Sequence, residues 1–326
     1  MGLIEVEKSS LALAAVQKAR TIVIASHIDP DGDTLGSSLA WALVLRKMGK
    51  QVTVYNQGTL PYSYEFLPGS ELLVDQLPLT CDLLCLLDFS ELERGGKDLV
   101  VWRGYAKSLC IDHHLTADPV ADINLIYSQA CATGELIYEL ALSLDPDFKL
   151  DVAVNLYTAI LTDTGSFRYS NSTPSSFKIA GDLVRRGVEP WSVAQHVYES
   201  QPLERIKLVG RVLETLQISD SGKGAAVWVT QAMFDETGTN SEYSDGLVNY
   251  PRSIAGVEVA FTAREVGFQE YKISFRSRGT VNVAALAAEF GGGGHHNAAG
   301  CRLQGALPDL IEQVFAIIDN SLSESH

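Results

Sequence analysis

The chain has 326 residues, 46% of them hydrophobic and 20% charged, and its 25 Lys+Arg against 40 Asp+Glu give a formal charge of −15. That length exceeds most single domains and predicts two. The acidic balance excludes a basic face that coats duplex DNA or an anionic membrane, and leaves room for a small anionic substrate held by a few local cations and metals.

At the start of the chain, MGLIEVEKSS shows no basic-then-apolar signal pattern, and Val6 stands where a myristoylation motif after Gly2 needs Ser or Thr. No apolar run approaches the ~18 residues of a membrane span. A soluble, cytoplasmic protein is expected. Thr21–Ala25 (TIVIA) predicts a strand, 35–48 a helix, Gln51–Tyr55 (QVTVY) a second strand, and 82–87 and 108–111 two more. Near-continuous apolar strands alternating with helices indicate a parallel, Rossmann-like α/β sheet covered on both faces. The cysteines Cys81, Cys85, Cys110, Cys131 and Cys301 sit mostly in apolar runs and read as small buried hydrophobes in a reducing compartment. Helical patterns follow at 134–144, 151–162, 175–186, 193–198 and 202–216, the last a connector between domains. After the turn at 219–224 come strands at 225–230, 257–264 and 271–276, a helix at 283–290, a glycine run, a strand at 300–303 and a helix at 307–320. This second half predicts a smaller mixed-sheet α/β domain, with a cleft between the two.

The first strand runs into Ser26-His27-Ile28-Asp29-Pro30-Asp31-Gly32-Asp33, the third into Asp88, and the fourth into Asp112-His113-His114. In an open parallel sheet, ligands bind outside the carboxyl ends of the strands. Each piece alone is weak, since an Asp after a strand commonly caps a helix or makes a turn. Together they carry more: of seven histidines, five fall in three short segments. Four carboxylates and two imidazoles suit a pair of divalent ions, Mn²⁺ first, with Mg²⁺ or Co²⁺ as alternatives, and not a thiolate zinc site. Without metal such carboxylates would repel one another. Asp163, where an apolar helix meets a turn, is a further candidate donor, and by itself also reads as an ordinary helix-end Asp. Gly291-Gly292-Gly293-Gly294 reads either as a helix end and loop after Phe290 or as backbone that a phosphate can approach closely. No Lys-Ser/Thr follows to make a P-loop. Arg276 at a strand end suits a bidentate phosphate grip, with Arg278 a second candidate.

The order His27-x-x-Pro30-Asp31-x-Asp33, then Asp88, then Asp112-His113-His114, then Thr162-Asp163-Thr164-Gly165 resembles the DHH phosphoesterase superfamily. Ser274-Phe275-Arg276-Ser277 and Gly291-Gly292-Gly293-Gly294-His295, followed by Ala298-Ala299-Gly300, are similar to the DHH-associated C-terminal domain. The resemblance points to the oligoribonuclease (nanoRNase) and pAp phosphatase branch. It implies one ion held by His27, Asp31 and Asp88 and a second by Asp33, Asp88, His113 and Asp163. Asp112 would orient an imidazole and His114 would face the substrate phosphate, as the two catalytic side chains. Arg276, Ser277, Arg278, Gly292, Gly293, Gly294 and His295 would bind substrate. Asp31 and Asp33, alternate residues on an extended loop, would point apart and serve different ions.

The resemblance implies a metal-binding catalytic domain at 1–190, a helical linker at 191–218 and a substrate-binding domain at 219–326. The implied reaction is hydrolysis of oligoribonucleotides of two to five nucleotides to mononucleotides, and of pAp to AMP, by a hydroxide activated between two metals. A cyclic di-AMP or pApA phosphodiesterase is the alternative. A RecJ-type single-strand exonuclease and a non-catalytic nucleotide sensor stand behind it. The implied partners are short RNA or small nucleotides, not duplex DNA or membrane, and a homodimer is the expectation from base rates alone.

Overall fold

The computed structural model describes residues 3–89, 91–114, 117, 119–279 and 281–323. The chain divides into two compact units, Met1–Ser200 and Gln201–His326. The segment expected to be a linker, 191–218, is therefore shared between them.

The first unit carries β1 (Thr21–Ala25), β2 (Gln51–Tyr55), β3 (Leu73–Val74), β4 (Cys81–Leu87), β5 (Tyr105–Asp112) and β6 (Ile123–Ile126). Its helices are α1 (Val6–Lys18), α2 (Gly32–Lys47), α3 (Lys97–Val101), α4 (Thr133–Leu144), α5 (Leu150–Asp163), α6 (Pro174–Arg185) and α7 (Pro190–Ala194). The sheet order is β3-β2-β1-β4-β5-β6, and every pairing is parallel. The chain leaves β1 toward β2 and β3, then returns to place β4 on the other side of β1. That reversal is the topological switch point where α/β sheets open a crevice. Ile22, Ile24, Leu83, Cys85, Leu87, Leu109 and Ile111 face one core with α2, α4 and α5. The alternate residues Val23, Ala25, Leu84, Leu86 and Cys110 face a second. This period of two, buried on both sides, is why the strands read as continuous apolar runs.

Helix α2 is buried almost all round and packs against α5. A Cβ on Gly36 would stand 2.4 Å from the Asn155 carbonyl oxygen, so the two helices meet at a distance only glycine permits. This helix begins at Gly32, earlier than the apolar periodicity suggests. Asp31 is its N-cap, its side chain accepting the Thr34 N–H at 2.9 Å. Asp33 therefore sits in the first helical turn and not on an extended loop. Two residues along a helix are turned by about 200°, so Asp31 and Asp33 still point apart, for a helical reason. The short strands β3 and β6 and the helix α1, which buries only Ala12 and Val16, lack a periodic pattern strong enough to be read in advance.

The second unit holds α8 (Leu203–Leu213), β7 (Gln217–Ile218), β8 (Gly224–Val229), α9 (Gln231–Thr237), α10 (Asn249–Arg252), β9 (Val259–Gly267), β10 (Glu270–Ser277), α11 (Val283–Glu289), β11 (Gly293–His295), β12 (Ala298–Gln304) and α12 (Leu307–Ser323). Its sheet order is β11-β12-β10-β9-β8-β7, mixed because β8 and β9 are parallel and the other pairs antiparallel. Phe261, Ile273, Phe275, Val314 and Ile318 form its main core. Helix α8 belongs to this unit: Leu208, Val209 and Val212 pack with Val227, Val229, Phe234 and Leu247. The five cysteines are free and buried. Among the described residues no helix is long and apolar enough to cross a membrane.

Candidate metal centre

The carboxyl ends of β1, β4 and β5 deliver the acidic and imidazole groups to one place. His27, Asp31 and Asp88 each offer one ligand atom, and these atoms lie within 4.8 Å of one another. Asp33, His113 and Asp163 form a second such group, and Asp88, His113 and His114 a third. His113 Nε2 stands 3.7 Å from an oxygen of each of Asp33, Asp88 and Asp163. These separations are too long for hydrogen bonds. They approach the roughly 3–3.5 Å between neighbouring donors that share an ion at about 2.1 Å. The His113 ring is turned this way by Nδ1, 3.3 Å from the Ala130 carbonyl, the usual backing for a ligating imidazole.

The electrostatics support the same fit. Burial, and then the charges of Asp88, Asp163 and Asp31, push the Asp33 carboxyl well above its usual range. Burial also pushes Asp163 up to about 7, His113 opposing and Asp31 and Asp88 adding to the shift. Burial opposes the Asp88 carboxylate too, but His27, His114 and His113 overcome it and hold that group low. Buried carboxylates facing one another lack a counter-charge that divalent cations supply. The donor set, oxygen and imidazole nitrogen without thiolate, fits such ions.

Several supporting side chains went unread in the sequence. The Thr34 hydroxyl donates to Asp88 at 2.6 Å and lies 2.5 Å from His27 Nε2. Asn56 donates to the His27 carbonyl at 2.7 Å. Asp33 accepts the N–H groups of Thr133 and Gly134 at 2.7 and 2.9 Å and the Ser37 hydroxyl at 2.8 Å. Asp33 thus caps α4, whose own N-cap is Ala132. The Thr133 hydroxyl lies 3.1 Å from Asp88, to which it donates. Asn171 donates to Asp163 at 3.1 Å and to the Cys131 carbonyl at 2.8 Å. The segment 130–134 therefore touches Asp33, Asp88 and His113 directly and Asp163 through Asn171. A helix start without an Ser, Thr, Asp or Asn cap was its one signal in the sequence.

Two stretches of backbone are strained beside these groups. Asp88 has φ +64. Past Asp163, Gly165, Ser166 and Phe167 all take the left-handed conformation, at φ +56, +62 and +60. A bulky side chain there is a true outlier. Ser166 N–H to Leu161 O at 2.7 Å, Phe167 N–H to Thr164 Oγ1 at 3.1 Å and Phe167 stacked on Phe177 hold the turn.

His114 is backed by Asp112, whose Oδ1 lies 2.6 Å from His114 Nδ1. Burial works against the imidazolium, but the Asp112 hydrogen bond and the Asp88 and Asp112 charges outweigh it and raise His114 to about 9. Asp112 is fully buried.

In the second unit, Arg276 and Ser277 end β10. Ser277 is buried and its hydroxyl donates to Asn297 at 2.9 Å. Arg278 donates to the Arg252 and Ser253 carbonyls, closing the end of α10. The glycine run is a turn and an edge strand rather than an open loop. A Cβ on Gly292 would be 2.2 Å from the Gly300 carbonyl oxygen, and Gly294, at φ +143, would place one 2.6 Å from that of Ala298. Gly293 has open space at that position. The side chain of His295 lies outside the described residues.

Residues 21–162 match the family described as DHH family, N-terminal domain, and residues 223–324 match the DHHA1 domain. The chain is 32% identical over 310 residues to the bifunctional oligoribonuclease and PAP phosphatase NrnA of Thermus thermophilus, covering 93% of this chain and 91% of that protein. It is 29% identical over 288 residues to the protein of the same name from Bacillus subtilis, covering 87% and 89%. A crystal structure of an exopolyphosphatase-related protein from Bacteroides fragilis superposes with a TM-score of 0.90 at 28% identity, covering 99% of this chain and 98% of that one.

Proposed function

The chain belongs to the DHH family, and from that premise we propose that it is a metal-dependent phosphoesterase hydrolysing short oligoribonucleotides to mononucleotides and pAp to AMP. The observation that carries this reading is the meeting of His27, Asp31 and Asp88 with Asp33, His113 and Asp163 at the sheet's switch point. Relatives that it matches over most of their length are named for these two activities.

In this reading His27, Asp31 and Asp88 hold one divalent ion, and Asp33, Asp88, His113 and Asp163 hold another. Mn²⁺ is the proposed ion, on the mixed imidazole and carboxylate donors. Bound there, such ions supply Lewis acidity and charge neutralisation at a phosphoryl group. The protein's own part is orientation and proton placement. Asp112 accepts the His114 Nδ1 hydrogen, which leaves Nε2–H as a donor for a phosphate oxygen or the leaving oxygen. Thr34 and Thr133 hold the Asp88 carboxylate in a single orientation through both of its oxygens. In the second unit, Arg276, Ser277, Arg278, Gly292, Gly293, Gly294 and His295 are proposed toward the nucleotide. Gly293, whose missing side chain no packing requires, is the glycine best placed for close approach. The proposal extends to a catalytic domain at 1–190, a substrate domain at 219–326, exclusion of duplex DNA by the acidic exterior, a cytoplasmic location and a homodimer.

The test is a parallel assay of the Mn²⁺-loaded protein on RNA dimers to pentamers, pAp, pApA and cyclic di-AMP. Release of mononucleotide from the oligomers and of phosphate from pAp is expected, and loss of both in Asp88→Ala. Turnover confined to pApA or cyclic di-AMP replaces the reading with a dinucleotide phosphodiesterase. No turnover of any substrate refutes it.

A further inference from the structure

One short stretch of chain, 130–134, supports four of the proposed metal donors. The Ala130 carbonyl backs His113 at 3.3 Å. The Cys131 carbonyl accepts from Asn171 at 2.8 Å, and Asn171 also donates to Asp163. The Thr133 and Gly134 N–H groups donate to Asp33 at 2.7 and 2.9 Å, and the Thr133 hydroxyl donates to Asp88 at 3.1 Å. Of these donors, Asp33, His113 and Asp163 form one candidate group. The other group is held differently: Thr34 meets His27 through its hydroxyl and Asp31 through its N–H. The two proposed ions therefore depend on different stretches of backbone.

Asp33 both caps α4 and belongs to a candidate group, so an ion that draws on this carboxylate loosens its hold on the helix start. The segment then needs an anchor of its own. Glu135, which no sequence motif marks, supplies one. It is the third residue of α4 and is fully buried. Its Oε2 accepts the Cys131 N–H at 2.9 Å. Cys131 is fully buried as well, so its N–H has no water to turn to. Burial first, and then the Glu135 charge and hydrogen bond, keep the Cys131 thiol protonated. A carboxylate in a core is costly unless N–H groups hold it. Here it grips the segment from the core side, while Asp33 and Asp88 take Thr133 and Gly134 from the other. The start of α4 is also pressed on α5: a Cβ on Gly134 would stand 2.6 Å from Ala159 Cβ.

We propose that Glu135 is a positioning residue for the second ion. By fixing 130–134 it holds Asp33, His113 and Asp163 at the spacing that ion needs, and it leaves the site of His27 and Asp31 alone. This rests on the metal-dependent phosphoesterase reading above. The experiment uses the full-length protein with Glu135→Met, which fills the space but accepts no hydrogen bond, and Glu135→Gln, whose amide oxygen still accepts the Cys131 N–H. Calorimetric titration with Mn²⁺ gives the affinity of each site and needs no turnover. Electron paramagnetic resonance reports the coupled spectrum that appears when both sites are filled. Thermal unfolding in EDTA reports folding, and kcat and KM are measured on an RNA dinucleotide.

Glu135→Met is expected to weaken one Mn²⁺ by about 10- to 100-fold, the usual cost of losing a group that supports a ligand, and to leave the other within about twofold. The coupled spectrum gives way to that of a single ion. At Mn²⁺ concentrations that fill one site, kcat falls and KM changes less. Glu135→Gln recovers most of the lost affinity. Affinities for both ions within about twofold of wild type in Glu135→Met overturn the proposal. So does equal weakening of both ions, which would make Glu135 a structural residue. Glu135→Gln as impaired as Glu135→Met also overturns it, since charge and not the hydrogen bond would then be what matters. Should Glu135→Met fail to fold, Glu135→Asp, which keeps the charge but shortens the reach by a methylene, decides on the same readouts. Wild-type protein that binds fewer than two Mn²⁺ refutes the metal assignment and this inference with it. If the wild type binds both ions but hydrolyses no phosphoester, the functional reading falls while Mn²⁺ binding still decides the role of Glu135.

Discussion

Asp33→Asn separates the capping of α4 from the metal binding proposed for the same carboxylate. Asp33 caps α4 through Thr133 and Gly134 and accepts the Ser37 hydroxyl, and it belongs to the group with His113 and Asp163. In metal-free protein, burial and then the Asp88, Asp163 and Asp31 charges disfavour its ionised form. A neutral Asn removes that repulsion and loses roughly one charge-assisted contact, worth about 1.5–3 kcal/mol. The two effects oppose, so metal-free stability is expected to change by no more than about 2 kcal/mol. With metal the balance differs, because an ion at a hundred times its Kd stabilises by about 2.7 kcal/mol. At about 2–4 °C per kcal/mol, that is a Tm increment near 5–10 °C for a unit of this size. Asp33→Asn should lose the increment of one ion and keep that of the other. Calorimetric scans of both proteins, in EDTA and in saturating Mn²⁺, give the difference of differences. An unchanged metal-induced shift in the variant refutes Asp33 as a ligand. A metal-free loss beyond about 4 kcal/mol would show that capping α4 is its main role.

Three further outcomes are expected. In EDTA, Asp163 titrates near 7 when folded, against 3.8 as its ordinary value, so the folded state binds the extra proton. The Asp163 contribution to metal-free stability should be full below about pH 4 and be lost toward pH 7, by up to ~1.4 kcal/mol per unit, with Mn²⁺ removing the slope. Denaturant midpoints across that window check it, and a metal-free profile that is flat or rises there counts against it. Asn171→Ala frees the Asp163 carboxylate from its donor and should weaken Mn²⁺ binding about tenfold by calorimetry with little change in Tm in EDTA; unchanged affinity would show that Asn171 does not position Asp163. Gly292→Ala forces a Cβ against the Gly300 carbonyl and should destabilise the second unit by about 1–3 kcal/mol. Limited proteolysis should then cut after Gln201 sooner, while the Mn²⁺-induced shift of the first unit is retained.

The reach of the sequence differs between parts of this molecule. The strands Thr21–Ala25 and Gln51–Tyr55 were legible to the residue, the first because it is one apolar run buried on both faces, the second because its Val and Thr residues are β-branched and lead into the buried Val54 and Tyr55. The edge strands β3 and β6 were not, being two and four residues long, too short to show a period. The start of α2 was obscured because Asp29-Pro30-Asp31 reads as a turn, whereas Asp31 is in fact the cap that lets the helix begin at the candidate metal centre. The glycine run gave chemistry but not shape. Gly292 and Gly294 turn out to be glycines because β12 passes too close for a side chain.

For the candidate site, the sequence by itself named the candidate donors. Strand ends and side-chain type brought His27, Asp31, Asp33, Asp88 and His113 into a wider set of candidates, and the family resemblance singled out these five together with Asp163 at the end of a helix. Only the tertiary structure decided what holds them. Thr133 approaches Asp33 and Asp88, and Asn171 approaches Asp163, from segments whose own sequence carries no motif. A donor is specified by its own atoms, whereas a supporting contact exists only once packing has brought two distant stretches of chain within hydrogen-bond or Coulomb range.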